Sequence, residues 1–294
     1  MTAATFIRFL RPATLAAPAA GIVGGAVAAS GGWPESPGRA GLALLSALLL
    51  TGASNGINQI ADVDTDRINR PDRPLPSGAL GLRSAAALAA LLTAAALFTA
   101  ALVNKAFLIC VALTIPLTAA YSLPPLRWKA VPVLANVAIA TPRGLLLVIA
   151  GWAAGGGATR PEAWVLGSVA WLYVFGAATT KDFGDIEGDK ATGCRTLPIL
   201  LGPARAARIV APFLVVPFLM YTPFAGAGLL PGGVAIWSVF GLLLAGLGLM
   251  AAQRLVRDPL PPLRRPHPAW GLMYLQLTLV HLGSAALFVL TAAG

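Results

Sequence analysis

The feature that most restricts this chain is a succession of apolar runs, each 15 to 25 residues long, separated by short segments that gather most of the charge. Such runs match the about 20 residues that carry an α-helix across a hydrocarbon layer about 30 Å thick. In that layer every backbone N–H and C=O must be satisfied inside the protein, and a local apolar run does this as a helix. A soluble enzyme is excluded, because only 11% of the 294 residues are charged while 57% are apolar; an average soluble domain carries about 25% charge. Disorder and a transmembrane barrel are excluded by the same runs.

The runs predict nine spans, near 13–30, 40–61, 83–103, 106–121, 131–152, 162–181, 206–222, 232–252 and 270–292. Loops and tails take what remains, with no room for a soluble domain, so residues 1–294 read as one all-α polytopic membrane domain. Pro116, Pro142, Pro212 and Pro217 fall inside spans, where they predict kinks rather than breaks because neighbouring helices can satisfy the freed carbonyls. Lys and Arg are retained on the cytoplasmic side of a membrane, whereas acids contribute little to orientation. With nine spans, 17 of the 21 Lys and Arg residues fall in one set of alternate loops, including Arg8, Arg11, Arg127, Lys129, Arg264 and Arg265. The opposite set holds Arg39, Lys105 and Arg160, and Arg143 lies within a span. The N-terminus is therefore expected in the cytoplasm and the C-terminus outside, in a cell (inner) membrane. The net charge of +10 is then a topology signal and calls for no nucleic acid.

Cys110 and Cys194 form no disulfide framework or metal knuckle, and His267 and His281 cannot build a zinc site alone. The N-terminal segment lacks a clear signal-peptide pattern and reads as a retained first helix. No obligatory protein partner is called for.

Eight of the eleven acids lie in two segments: Asp62, Asp64, Asp66 and Asp72 after the second span, and Asp182, Asp185, Glu187 and Asp189 after the sixth. If those span ends stay helical, Asn58, Asp62 and Asp66 advance only about 40° per step and form one stripe. Asp182, Asp185 and Asp189 share a sector of about 60° by the same geometry. Like charges at this spacing repel, and burial against an apolar bundle raises the cost. A divalent cation removes the conflict. Oxygen ligands favour Mg²⁺, Mn²⁺ or Ca²⁺, and Mg²⁺ fills its remaining positions with water and substrate phosphate. Two facing stripes therefore imply a bridged diphosphate, with Arg67, Arg70, Arg73, Lys181, Lys190 and Arg195 as donors around it. Ordinary solvated loops are the bland alternative; Asp64, Asp72 and Glu187, off the stripes, read as surface residues.

These residues resemble the UbiA superfamily of intramembrane prenyltransferases over almost the whole chain. Its N-x3-D-x3-D motif appears as Asn58, Asp62 and Asp66, its second acidic motif as Asp182, Asp185 and Asp189, and its loop after the fourth span as Tyr121 to Lys129. The resemblance implies nine helices around a central cavity, with transfer of an isoprenyl group from a prenyl diphosphate to an aromatic or hydroxyl-bearing lipophilic acceptor in the membrane. It implies two Mg²⁺ ions, with Mn²⁺ as a substitute. Asn58, Asp62 and Asp66 would hold one metal and Asp182, Asp185 and Asp189 the other, with Asp62, Asp66, Asp185 and Asp189 central to catalysis. Arg67, Arg70, Arg73, Lys181 and Lys190 would contact diphosphate, although each, and Arg70 and Lys190 above all, also reads as a topology-setting surface cation. Tyr121 and Lys129 would close over the donor.

Arg143 is a charge inside a span and thus a functional residue by default. Asn136, two turns before it, lies on roughly the same face and would line the cavity with it, orienting donor or acceptor. The alternative is that Pro142 breaks the span and Arg143 takes a freed carbonyl. The runs Ile68 to Pro71 and Glu187-Gly188-Asp189 resemble the homogentisate, chlorophyll and geranylgeranylglyceryl phosphate branches, which favour donors near twenty carbons. A small transporter with an acidic ion site is the competing class, but it needs acids at bilayer depth. A CDP-alcohol phosphotransferase is disfavoured because its motif order is absent.

Overall fold

The structure, a computed structural model, describes residues 2–261 and 266–292. Arg264 and Arg265 lie outside the described residues, so two of the cations counted above have no structural account. Among the described residues there is no strand. The α-helices in chain order are α1 (Ala3–Leu10), α2 (Ala16–Ser30), α3 (Pro37–Ala61), α4 (Val63–Asn69), α5 (Leu82–Val103), α6 (Lys105–Ser122), α7 (Leu134–Ala140) and α8 (Leu147–Ala154). They continue as α9 (Pro161–Ala177), α10 (Ile186–Ala191), α11 (Leu197–Leu201), α12 (Pro203–Val210), α13 (Val216–Leu219), α14 (Tyr221–Gly226), α15 (Val234–Arg257) and α16 (Pro268–Ala292).

Eight helices are long and apolar enough to cross a membrane, counting α7 with α8 and α12 to α14 as single spans. A ninth arises if Ala3–Thr14 and Ala16–Ser30, bent by 57°, cross as one. The chain is an integral membrane protein. Prolines act locally as expected. Pro116 sits inside an unbroken α6, whereas Pro212 and Pro217 coincide with the interruptions that divide Pro203–Gly226 into short pieces. At Pro142 the helix widens into a π turn over Thr141–Leu146 and resumes as α8, so the span is not broken.

Small residues set the packing. In lipid there is no hydrophobic drive between helices, so close backbone approach and dispersion hold the bundle. A Cβ on Gly25 would lie 2.6 Å from the backbone of Gly151, and one on Gly24 would lie 2.6 Å from the carbonyl oxygen of His281. These glycines let α2 press against α8 and α16 at once. One apolar cluster joins α9 to α12–α16 around Tyr173, Phe218, Tyr221 and Trp237; another joins α2, α3, α5, α6 and α8 around Ile22, Phe107 and Ile149. A single large cavity lies between elements of both clusters.

Candidate active site

Both acidic motifs are built the same way. Helix α3 stops at Ala61, Asp62 takes a non-helical conformation (φ −106°, ψ 13°), and α4 starts at Val63. The ninth helix tightens into a 3₁₀ segment over Ala178–Gly184, Asp185 breaks it (φ −118°, ψ 7°), and α10 follows. The stripes predicted from uninterrupted helices are therefore each bent at an aspartate, which turns the short helices α4 and α10 inward. These two helices pack on each other.

Asn69, buried at the end of α4, closes that contact: its Nδ2 donates to the carbonyl of Asp185 at 3.1 Å, and its Oδ1 accepts from the Gly188 amide at 3.0 Å. Only a glycine fits at 188, because a Cβ there would stand 2.5 Å from Asn69 Nδ2. The hydroxyls of Thr65 and Thr192 meet at 2.9 Å beside it. Charge bridges the same gap, with Arg70 of the first motif 3.0 Å from the Asp185 carboxylate. Convergence of the motifs thus rests on named contacts.

The cavity encloses about 300 Å³. Asn58, Asp62, Asp66, Arg70, Arg73, Tyr121, Lys129, Arg143, Lys181, Asp185 and Asp189, all anticipated from the sequence, line it. Ile22, Leu50, Phe107, Val111, Leu147 and Leu277 supply apolar wall. Arg73 grips both Asp66 oxygens at 2.6 and 2.7 Å, Lys129 pairs with Asp62, and Asn58 donates to the other Asp62 oxygen at 2.8 Å. Lys181 reaches Asp182 at 2.8 Å and stands 5.8 Å over the Tyr121 ring.

Four expectations are corrected. Arg67 is exposed and bonds Asp64 at 2.6 Å, pointing off the cavity because α4 restarts the helical phase after Asp62. Lys190 is exposed on the outer face of α10. Asp182 is buried but does not line the cavity, and its carboxylate holds Lys181. Asn136 does not line it either: its amide donates to the Phe175 carbonyl and to Thr179 Oγ1 at 2.8 Å, tying α7 to the ninth helix. Arg143 takes no freed carbonyl; its Nη1 donates to the Tyr274 hydroxyl at 2.7 Å.

Among the described residues no three His, Cys, Asp or Glu side chains form a ready metal cluster. The threefold ligand sets expected for each metal are corrected accordingly: the breaks at Asp62 and Asp185 spread the carboxylates, and cations hold three of those that line the cavity. The donor set nevertheless fits a hard divalent cation, which needs only one or two carboxylates beside water and phosphate oxygens. Burial first, then the like charges of Asp182 and Asp185, push the Asp189 carboxyl up to about 7 against the pull of Lys181 and Lys129. Burial likewise raises Asp66, opposed by Arg73. Carboxylates that resist ionisation in isolation are stabilised as anions by an arriving cation.

Several lining residues escaped the sequence reading. Arg11 had been counted as a loop cation and Tyr274 lay unremarked in the last span, but both line the cavity. Asn69 carried no charge and so gave no signal. The buried hydroxyls of Ser122 and Thr196 also line it, with no protein partner among the described residues.

An apolar bundle whose internal chamber carries facing carboxylates and cations near the span ends, and aliphatic wall elsewhere, defines an intramembrane enzyme for an amphiphilic polyanion. The chain belongs to the UbiA prenyltransferase family, whose model matches residues 18–266, and it is accordingly a transferase of prenyl groups. It is similar to the bacteriochlorophyll synthase 34 kDa chain of Chloroflexus aurantiacus, with 34% identity over 261 residues, 86% of this chain and 81% of that one. It is also similar to the digeranylgeranylglyceryl phosphate synthase of Methanoculleus marisnigri, with 33% identity over 251 residues, 85% and 84% of the two chains. The fold matches that of a UbiA homolog from Archaeoglobus fulgidus bound to GPP and Mg²⁺, with a TM-score of 0.77 at 22% identity over 97% of this chain and 99% of that one. The apo UbiA homolog from Aeropyrum pernix matches with a TM-score of 0.72 at 24% identity, covering 94% and 97%.

Proposed function

We propose that this protein transfers a long isoprenyl group from its diphosphate to a lipophilic acceptor, in a chamber that opens toward the cytoplasm of a cell (inner) membrane. The observation that carries the reading is the joining of the two acidic motifs across one cavity that also has aliphatic walls. An amphiphilic donor needs both surfaces. Relatives that act on chlorophyll and archaeal ether-lipid precursors support a donor near twenty carbons. The loop charges support the cytoplasmic orientation.

Asp62, Asp66, Asp185 and Asp189 are the residues to hold Mg²⁺, with Asn58 orienting Asp62. When bound, the metal neutralises the leaving diphosphate and its carboxylate neighbours. Arg70, Arg73, Lys129 and Lys181 are positioned to exchange carboxylate oxygens for phosphate oxygens, so the charge developing on the leaving group meets fixed donors. The bond from C1 of the prenyl group to the diphosphate oxygen breaks, and its electron pair departs with the diphosphate. The acceptor then bonds to C1 and releases a proton. The aliphatic wall keeps water from intercepting the allylic cation. Asp182 holds Lys181 for its part. The acids cluster at span ends, which disfavours the transporter reading. Mass spectrometry of products from purified protein, Mg²⁺, geranylgeranyl diphosphate and a panel of acceptors tests the reading; absence of any Mg²⁺-dependent prenylated product refutes it.

A further inference from the structure

Six cationic side chains line the cavity. Four of them have an acidic partner within ion-pair distance: Arg70 with Asp185, Arg73 with Asp66, Lys129 with Asp62 and Lys181 with Asp182. These belong to the diphosphate clamp. Arg11 and Arg143 have no carboxylate partner among the described residues, and the side chain of Arg11 makes no hydrogen bond among them either. Both are half-buried, and the Arg11 guanidinium feels the like charges of Arg73 and Arg143.

The surroundings of this corner are built. Arg143 stands in the π turn Thr141–Leu146, a local widening that is characteristically found at functional sites. Its guanidinium is fixed by the hydroxyl of Tyr274 from α16, and Tyr274 is itself held edge-on by the Trp270 ring, with centroids 4.7 Å apart. A single hydrogen bond to a neutral phenol leaves the remaining guanidinium donors of Arg143 free for a planar or tetrahedral oxyanion. Arg11 holds a left-handed conformation (φ 58°, ψ 66°) where α1 ends, a region that an arginine rarely adopts. Unneutralised cations in a low-dielectric chamber are costly unless an anion arrives.

We propose that Arg143 and Arg11, with Tyr274 as the positioning residue, form the subsite that seats an acidic group of the acceptor. The acceptor is then an amphiphile carrying a phosphate or a carboxylate in addition to the carbon or hydroxyl that is prenylated. This rests on the prenyl-transfer reading and deepens it: the donor anion has its own partners, so surplus charge in a second corner selects the second substrate.

Two matched acceptor pairs separate the possibilities: a prenylated glycerol phosphate against its dephosphorylated alcohol, and an aromatic hydroxycarboxylic acid against its methyl ester. Each is incubated with the full-length protein, Mg²⁺ and geranylgeranyl diphosphate, and its binding is also measured by titration calorimetry. The wild type should favour the acid of at least one pair by tenfold or more, and the pair that responds tells phosphate from carboxylate. Arg143→Gln should raise the KM for that acid at least tenfold with little change in kcat, Arg143→Lys should recover part of the loss, and Tyr274→Phe should raise KM more modestly. In all three, the Kd for geranylgeranyl diphosphate should stay within twofold. Equal use or binding of acid and neutral partner would overturn the proposal, as would a shift in donor Kd with no shift in acceptor KM. Lack of turnover with every acceptor counts against prenyl transfer, while the calorimetric acid preference and its loss in Arg143→Gln still decide the subsite.

Discussion

Replacing Asn69 by alanine cuts the link between the two acidic motifs without touching a charge. The side chain is buried and makes two hydrogen bonds, one to the Asp185 carbonyl and one from the Gly188 amide. Each nets about 0.5–1.5 kcal/mol, and a buried amide left without an acceptor costs about 1–3 kcal/mol. The sum opposing the docking of α4 on α10 is about 2–4 kcal/mol. At about 1.4 kcal/mol per tenfold, a loss of 2–3 kcal/mol weakens the joined state by about thirty- to a hundredfold. Because a prenyl diphosphate must be held from both motifs, its Mg²⁺-dependent Kd, measured by equilibrium binding to the purified variant, should rise by a similar factor. The melting temperature should move little, since the contact joins two short helices outside the bundle core and local openings need not reach the global unfolding barrier. Gly188→Ala pushes the same contact apart from the other side and should give a similar rise. Donor affinity within threefold of wild type in both variants would refute the claim that this contact assembles the site.

Asp62→Ala or Asp185→Ala should abolish product formation from a radiolabelled prenyl diphosphate while the protein remains folded in detergent, as judged by size-exclusion profile; full activity in either variant would remove the acidic motifs from the chemistry. Gly151→Leu places a side chain where the α2 backbone passes, and overpacking of this kind costs about 1–3 kcal/mol or more, so a lowered melting temperature in detergent is expected. A reporter fused to the C-terminus should be accessible only from outside the cytoplasm; a cytoplasmic signal would contradict nine crossings.

The spans were legible because each is a continuous apolar run, and the structural bounds depart from the sequence reading mainly at the ends. Lys105–Ser122 was expected as 106–121, and Pro268–Ala292 as 270–292. The first span was less legible, because Pro12 and the break after it divide an amphipathic start from an apolar remainder. At the site, charge made Asp62, Asp66, Asp185 and Asp189 conspicuous. Helical extrapolation then failed for Arg67 because one non-helical residue at Asp62 resets the angular phase of everything after it. Asn136 and Arg143 were expected on one face, but the π turn that begins at Thr141 intervenes between them, and Asn136 is claimed by a neighbouring carbonyl. Asn69, Ser122 and Tyr274 are neutral; only the folded arrangement distinguishes them from other polar residues at span ends.

The widened turn at Thr141–Leu146 has a consequence for how this helix tolerates change. Helix α8 downstream supplies Gly151 to the glycine seam with α2, while the turn itself presents Arg143 to the chamber. Each residue of an ordinary helix advances about 100°, so deleting one residue between them would rotate one half against the other by that angle. Either the arginine would swing toward lipid or the seam would lose its bare backbone. The span therefore works as two rotors locked at a chosen offset, and indels here should be far less tolerated than substitutions.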